Sequence, residues 1–248
     1  MKPAFTLRSP ETGTDYWIYV EAPSGQTESG PWPTLVFMDG DDQLKAGIAA
    51  YRHARAAQTV PPLLLVGVGY GASYTKPANK RIRDYTPGRH SDEPDSGGAD
   101  AFLAFLTHTL WSALRERYPL YETWRGLAGH SLGSLLVLHA VLRQPPFFTH
   151  FLASAPSIWW ADRAVLASVT ERWRRDFHLP GRAFISVGEE DSQSMTEDLQ
   201  RLEAQLGVER FTGFEYTVRR FPRKNHFNVL EQAFGEGMVW LNAKIGVP

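Results

Sequence analysis

No cysteine occurs anywhere in the 248 residues. That excludes a disulfide scaffold, a thiolate metal site and a cysteine nucleophile. Nor does either sign of charge dominate: 26 Lys and Arg stand against 27 Asp and Glu. Binding a phosphate backbone needs a basic patch, and a polybasic membrane anchor needs a cationic run. Neither is there, so nucleic acid and membrane are not expected partners. Long apolar runs are missing as well. The longest, at 135–142, is broken by His139 and falls far short of the roughly 20 residues that span a bilayer. The opening MKPAFTLRSPETGTDYW has no apolar core of signal-peptide length. The expected compartment is therefore the cytoplasm, as it would be for a chain already relieved of an export signal.

What is present is an alternation of strand-like and helix-like runs. Strands are expected at 14–22, 34–39, 63–68, 124–129, 148–155, 182–188 and 214–221. Helices are expected near 43–57, 98–117, 132–143, 163–175, 195–207 and 228–244. In the second of these helices Phe102, Phe105, Leu106, Thr109, Leu110 and Leu114 recur at three- and four-residue spacing along one face. Pro145 and Pro146 stop the third. Such alternation predicts one α/β domain, 1–248, with a mostly parallel central sheet and helices on both faces. The turn-like SPETG joins the first two strands as an antiparallel hairpin at the sheet edge. The segment 70–98 has prolines at 77, 87 and 94 and no periodicity. A loop so long, beyond the carboxyl end of a parallel strand, is a place for ligands.

Between the strand at 124–129 and the helix at 132 lies Gly129-His130-Ser131-Leu132-Gly133, which fits G-x-S-x-G. On a strand–turn–helix junction this is the pattern of a nucleophile elbow, with the serine in a strained turn and helix N–H groups aimed beside it. The competing reading is a serine N-cap. A hydroxyl needs a base. Of the eight histidines, His53, His108, His139 and His150 fall in regular elements, His90 and His178 in other loops, and His130 is expected to point away from an elbow. His226 lies between the last strand and the last helix, at the carboxyl edge of the sheet. Asp191 follows the strand ending at Gly188, on the same edge, with Glu189 and Glu190 as rivals. The order Ser131, Asp191, His226 is that of an α/β-hydrolase. The oxyanion N–H groups are expected from Leu132 and from the loop MDGDDQ (38–43), where Gly40 lets the backbone come close.

With MDGDD, RIRDYTP, GGADAFLAFL, GLAGHSLGSLLVLHA, SAPSIWW and NHFNV in hand, the chain resembles the Putative esterase family of α/β-hydrolases. That family includes esterase D-type enzymes, mycolyltransferases and siderophore esterases, and the likeness runs over nearly the whole chain. It implies a cofactor-free, metal-free serine esterase acting on a small-molecule ester. Ser131 is then the nucleophile, His226 the base and Asp191 the acid, unless a neighbouring Glu serves or the site is a serine–histidine dyad. It also implies Asp41 and Leu132 as oxyanion donors, with the Asp41 and Asp42 side chains turned away. The resemblance is nearest to the siderophore branch, from which Ser134 departs where a second glycine is usual.

Arg81 and Arg83 are candidates for binding an anionic substrate, or one of them pairs with Asp84 and pins the loop. Trp159 and Trp160 are candidates for an aromatic wall, or core. Other patterns fail on their neighbours. GVGYGA (67–72) lacks the following helix that a dinucleotide site needs. DGDDQ lacks the glycine and glutamate of a calcium loop, and HSDEPD (90–95) reads as a solvated acidic loop. Two function classes remain: a serine hydrolase, with acyl transfer as a variant, and a non-catalytic ligand- or partner-binding protein of the same fold. The substrate ester and the oligomeric state are not legible.

Overall fold

The computed structural model describes residues 1–23, 30–143 and 145–243. Eight strands form one sheet: β1 Phe5–Arg8, β2 Asp15–Glu21, β3 Trp32–Phe37, β4 Leu64–Gly69, β5 Leu120–His130, β6 His150–Ser154, β7 His178–Gly188 and β8 Thr212–Phe221. Their spatial order is β1-β2-β4-β3-β5-β6-β7-β8. β1, β2 and β4 pair antiparallel, and every pair from β4 across to β8 is parallel. The antiparallel edge hairpin across SPETG is present, its first arm β1 lying ahead of the strands expected from 14 onward, and so are the mostly parallel sheet and the helices on both faces.

The helices are α1 Leu44–Ala56, α2 Arg81–Tyr85, α3 Ala99–Ala104, α4 Trp111–Arg115, α5 Leu132–Val141, α6 Trp160–Arg175, α7 Gln193–Val208 and α8 Leu230–Asn242. Leu44, Ile48 and Tyr51 of α1 and Phe234, Met238 and Leu241 of α8 bury one sheet face. Residues of α3–α7 bury the other, where α5 is so enclosed that nine of its ten residues are buried. An all-round apolar helix like α5 belongs in the middle of a structure, and it puts the serine at its amino end on a fixed base.

Several boundaries differ from expectation. The 98–117 helix is three pieces, because Phe105–Leu110 winds as a π-helix between α3 and α4. The aperiodic 70–98 segment holds a short helix, α2. The helix expected from 163 starts at Trp160, but Ala161, Asp162 and Arg163 all have left-handed φ, 47°, 54° and 64°. Three such residues in a row are a strained turn. The last helix ends at Asn242; its expected limit at Lys244 lies outside the described residues. β3 turns the chain from β4 on one side to β5 on the other, making the carboxyl edge beside it the topological switch point.

Candidate active site

Ser131 has φ 60° and ψ −123°, a conformation that costs about 1–3 kcal/mol in an L-residue. The backbone around it holds that shape. Its N–H donates to the Ser154 carbonyl at 3.0 Å. Its own carbonyl accepts from the N–H groups of Ser134, Leu135 and Ser157. Gly129 is required because a Cβ there would collide with the Gly133 carbonyl; one at Gly133 would lie 3.0 Å from Met38 Cβ. Ser131 makes no side-chain cap on α5, so the N-cap reading fails on geometry. Its Oγ sits 3.4 Å from Ser157 Oγ.

The loop after β7 and the loop after β8 are packed together. A Cβ on Gly188 would strike the Lys224 carbonyl, and Glu190 N–H donates to that same oxygen at 2.8 Å. This contact carries Asp191 to His226, whose Nδ1 lies 2.9 Å from Asp191 Oδ2. Glu189 and Glu190 are exposed on the same turn. Burial alone would raise the Asp191 carboxyl, but hydrogen bonds from His226 and from the Ser192 N–H outweigh it and hold the group below the usual carboxylate range. The buried face of the pair is thus an acceptor for an imidazole N–H.

Ser131 and His226 line two adjoining cavities. One, of about 230 Å³, is bounded by Gln43, Asp42, Tyr74, Arg81 and His130. The other, of about 490 Å³, is bounded by Ser157, Trp159, Glu190, Asp191 and Met195. Phe227 forms part of both walls and packs edge-on to the His226 ring. The serine and the imidazole face one space, and the hydroxyl's neighbour at rest is Ser157. Serine–base contacts are often long in unliganded enzymes. A roomier groove of about 820 Å³ lies between α1 and α8, lined by none of the candidate catalytic residues. Size alone would select that groove; the candidate catalytic residues line the smaller two.

His130 does not point away as expected. It is buried, with its ring centroid 4.4 Å from that of His226 and Nδ1 3.1 Å from Ser154 Oγ. Burial first, then the neighbouring His226, push its pKa down to about 3, so it is a neutral wall behind the second imidazole. The signal for it was its place in the G-x-S-x-G run.

The oxyanion candidates are also disposed in a definite way. Among the described residues, neither the Leu132 nor the Asp41 backbone N–H is given to a protein acceptor. The Asp41 carboxylate is turned away, accepting from Tyr19 OH at 2.5 Å, Tyr70 N–H at 2.5 Å and Gly71 N–H at 3.1 Å. Asp42 accepts from the Tyr74 N–H. All three acids of MDGDD therefore hold the 70–85 segment, since Asp39 binds Arg81 through both oxygens, at 2.9 and 3.0 Å. Burial lifts the Asp39 carboxyl, and the guanidinium opposes the rise. Arg81 lies at the small cavity, but its charge is matched.

Arg83 is elsewhere. It donates to Asp84 at 2.7 Å and to Thr14 Oγ1 at 2.8 Å, while Asp84 also accepts from Tyr16 and Tyr70 hydroxyls. It lines neither cavity and fixes the loop to β2, which corrects its assignment as a substrate contact. The tryptophan pair divides too. Trp159, 40% exposed, lines the larger cavity. Trp160, 5% exposed, donates to the Gly88 carbonyl and belongs to the core. Of the HSDEPD residues, His90 accepts from the Asp92 N–H within its own turn. No helix among the described residues is long and apolar enough to cross a membrane.

Comparison with known proteins adds an independent result. The family model described as "Putative esterase" matches residues 9–226. A siderophore triacetylfusarinine C esterase of Aspergillus fumigatus is 36% identical over 63% of this chain, and the match covers 56% of that protein's length. The ferri-bacillibactin esterase BesA of Bacillus subtilis is 25% identical over 90% of this chain and 83% of its own. Among solved structures, the BES protein from Bacillus cereus superposes with a TM-score of 0.85 at 22% identity, covering 96% of this chain and 94% of the other. The siderophore hydrolase EstB from Aspergillus nidulans does so with a TM-score of 0.83 at 23% identity, covering 98% and 95%. At such identities the superpositions establish the fold.

Proposed function

The chain belongs to the family described as "Putative esterase", and from that membership we propose that it hydrolyses carboxylic esters through an acyl-enzyme on Ser131, within one domain spanning 1–248. His226 takes the proton from Ser131 Oγ as the oxygen attacks the ester carbonyl. The oxyanion that forms lies against the Leu132 and Asp41 N–H groups. As the tetrahedral species collapses, His226 returns the proton to the departing alkoxide, and water repeats the sequence to release the acid. Asp191 keeps the His226 Nδ1 proton in place and balances the imidazolium. The observation that supports the reading is the Asp191–His226 contact at 2.9 Å facing the same cavities as a serine on a strained strand–helix turn.

The names of the relatives favour a siderophore ester as the physiological substrate. A hydrolysis panel tests both levels. Short acyl nitrophenyl esters, a ferric siderophore ester and acetylated or feruloylated sugars are offered to wild type, Ser131→Ala and Arg83→Ala. Turnover of any ester that Ser131→Ala lowers by about 10³-fold or more supports the esterase; undiminished turnover rejects it. Preference for the siderophore ester supports the narrower reading. Arg83→Ala is expected to weaken all substrates alike, as a loop-pinning residue would.

A further inference from the structure

The geometry points to an uncharged ester as the substrate of this site, with esters carrying a negative charge near the scissile bond disfavoured. The inference rests on the esterase reading above and narrows its substrate class. An arginine-bearing loop beside a serine suggests an anion site from sequence alone. The partners of the two arginines remove that basis. Arg83 is bound to Asp84, away from both cavities. Arg81 is the one Lys or Arg among the described residues lining the two cavities. Both of its bonded nitrogens are engaged by Asp39, whose side chain is fully buried. A bidentate guanidinium–carboxylate pair presents almost no net charge to a ligand.

The remaining charges are negative. Asp42 lines the small cavity and, among the described residues, accepts only a backbone N–H from Tyr74. Glu190 lines the large cavity and is exposed, with no cation partner among the described residues. Asp191 is matched by His226 only when the imidazole is protonated. A negative group on either side of the ester would therefore meet a carboxylate with no free cation to receive it, and like charges at close range reduce association. Trp159 and Phe227, 40% and 81% exposed, offer instead uncharged faces. The expectation extends to metal complexes, since three hydroxamates balance a ferric ion while three catecholates leave it strongly anionic.

The test uses two acetates of matched size, 4-acetoxybenzamide and 4-acetoxybenzoate, each rate being referred to its hydroxide-catalysed reaction. At low salt wild type is expected to favour the amide by at least about tenfold in kcat/KM, and the gap should shrink as salt rises. Glu190→Gln, and separately Asp42→Asn, should narrow the same ratio. Glu190 is at the surface, so its variant reads out even if Asp42→Asn fails to fold. A ratio near one, a preference for the benzoate, or a gap that salt and Glu190→Gln both leave untouched overturns the inference. Ser131→Ala separates this from failure of the esterase reading: if it lowers neither acetate, the site itself is misassigned.

Discussion

The Ser131 turn and the His226 loop meet in one cavity but are held by opposite means. Ser131 is held by backbone: four main-chain hydrogen bonds, two flanking glycines and a buried helix behind it. His226 is held by side chains: the Asp191 carboxylate on one edge and the His130 ring on one face, on a loop whose neighbouring Phe227 is 81% exposed. A backbone device has to be written in consecutive residues, and a side-chain device can draw on residues from distant stretches. The first kind survives loss of any one side chain; the second does not.

The sharpest way to break the first region is Gly129→Ala. The added methyl would collide with the Gly133 carbonyl, a main-chain atom that cannot swing aside. A loss above about 4 kcal/mol is expected, of the size reserved for such overpacking, and seen as lost soluble protein or a collapsed melting transition. Breaking the second region should leave the fold standing. Asp191→Asn is expected to lower kcat by about 10²–10⁴-fold with little change in melting temperature, while Glu189→Gln, on the same turn, stays within about twofold. Steady-state kinetics with circular dichroism melts separate the two outcomes. Equal losses for the two variants would mean that His226 does not depend on Asp191.

The contrast also explains which parts were legible in the sequence. The alternating elements and Gly129-His130-Ser131-Leu132-Gly133 are local patterns, and both lead to what is observed. Asp191 and His226 were reachable because loops after parallel strands share one edge. Arg81 and Arg83 were not separable. They are two apart on α2, and their partners, Asp39 on the β3 exit and Asp84 facing Tyr16 and Tyr70, are fixed only by packing. Trp159 and Trp160 split at the start of a left-handed turn that no periodicity announces. His130 departs from expectation because the elbow rule describes backbone, and its side chain packs inward against Ser154 and the His226 ring.

Acid sharpens the comparison further. Folded His130 has a pKa pushed to about 3, below the ordinary value near 6.5. The unfolded chain therefore binds the extra proton first, and stability falls as pH drops from about 6.5 toward 3. The slope is up to about 1.4 kcal/mol per pH unit for this group. Asp191 is also lowered, from the carboxylate range, so it acts in a more acidic window: its stabilisation is present above about pH 4 and is lost below that as the group protonates. Burial also lowers His150, to about 4, and His139. Melts from pH 4.5 to 7.5 should therefore report these histidines with His130 and not Asp191, and His130→Phe should reduce the slope by its own share. An unchanged slope would remove the neutral-wall description.

The smallest expected effect lies behind the elbow. Ser134 is fully buried and its Oγ has no hydrogen-bond partner among the described residues. Ser134→Ala deletes an unsatisfied hydroxyl without opening a large cavity, and a gain of about 1 kcal/mol is expected in denaturant titration. A loss would indicate a hydrogen bond formed in solution.

The most direct test of the central claim is covalent. A fluorophosphonate is reacted with wild type and with His226→Ala, and the modified peptide is mapped by mass spectrometry while the rate is followed. Ser131 on a strained turn, with His226 as its base, requires a single phosphonyl adduct on Ser131 in wild type, formed at least about 10²-fold more slowly without the imidazole. An adduct at another residue, or equal labelling rates in the two proteins, would contradict it.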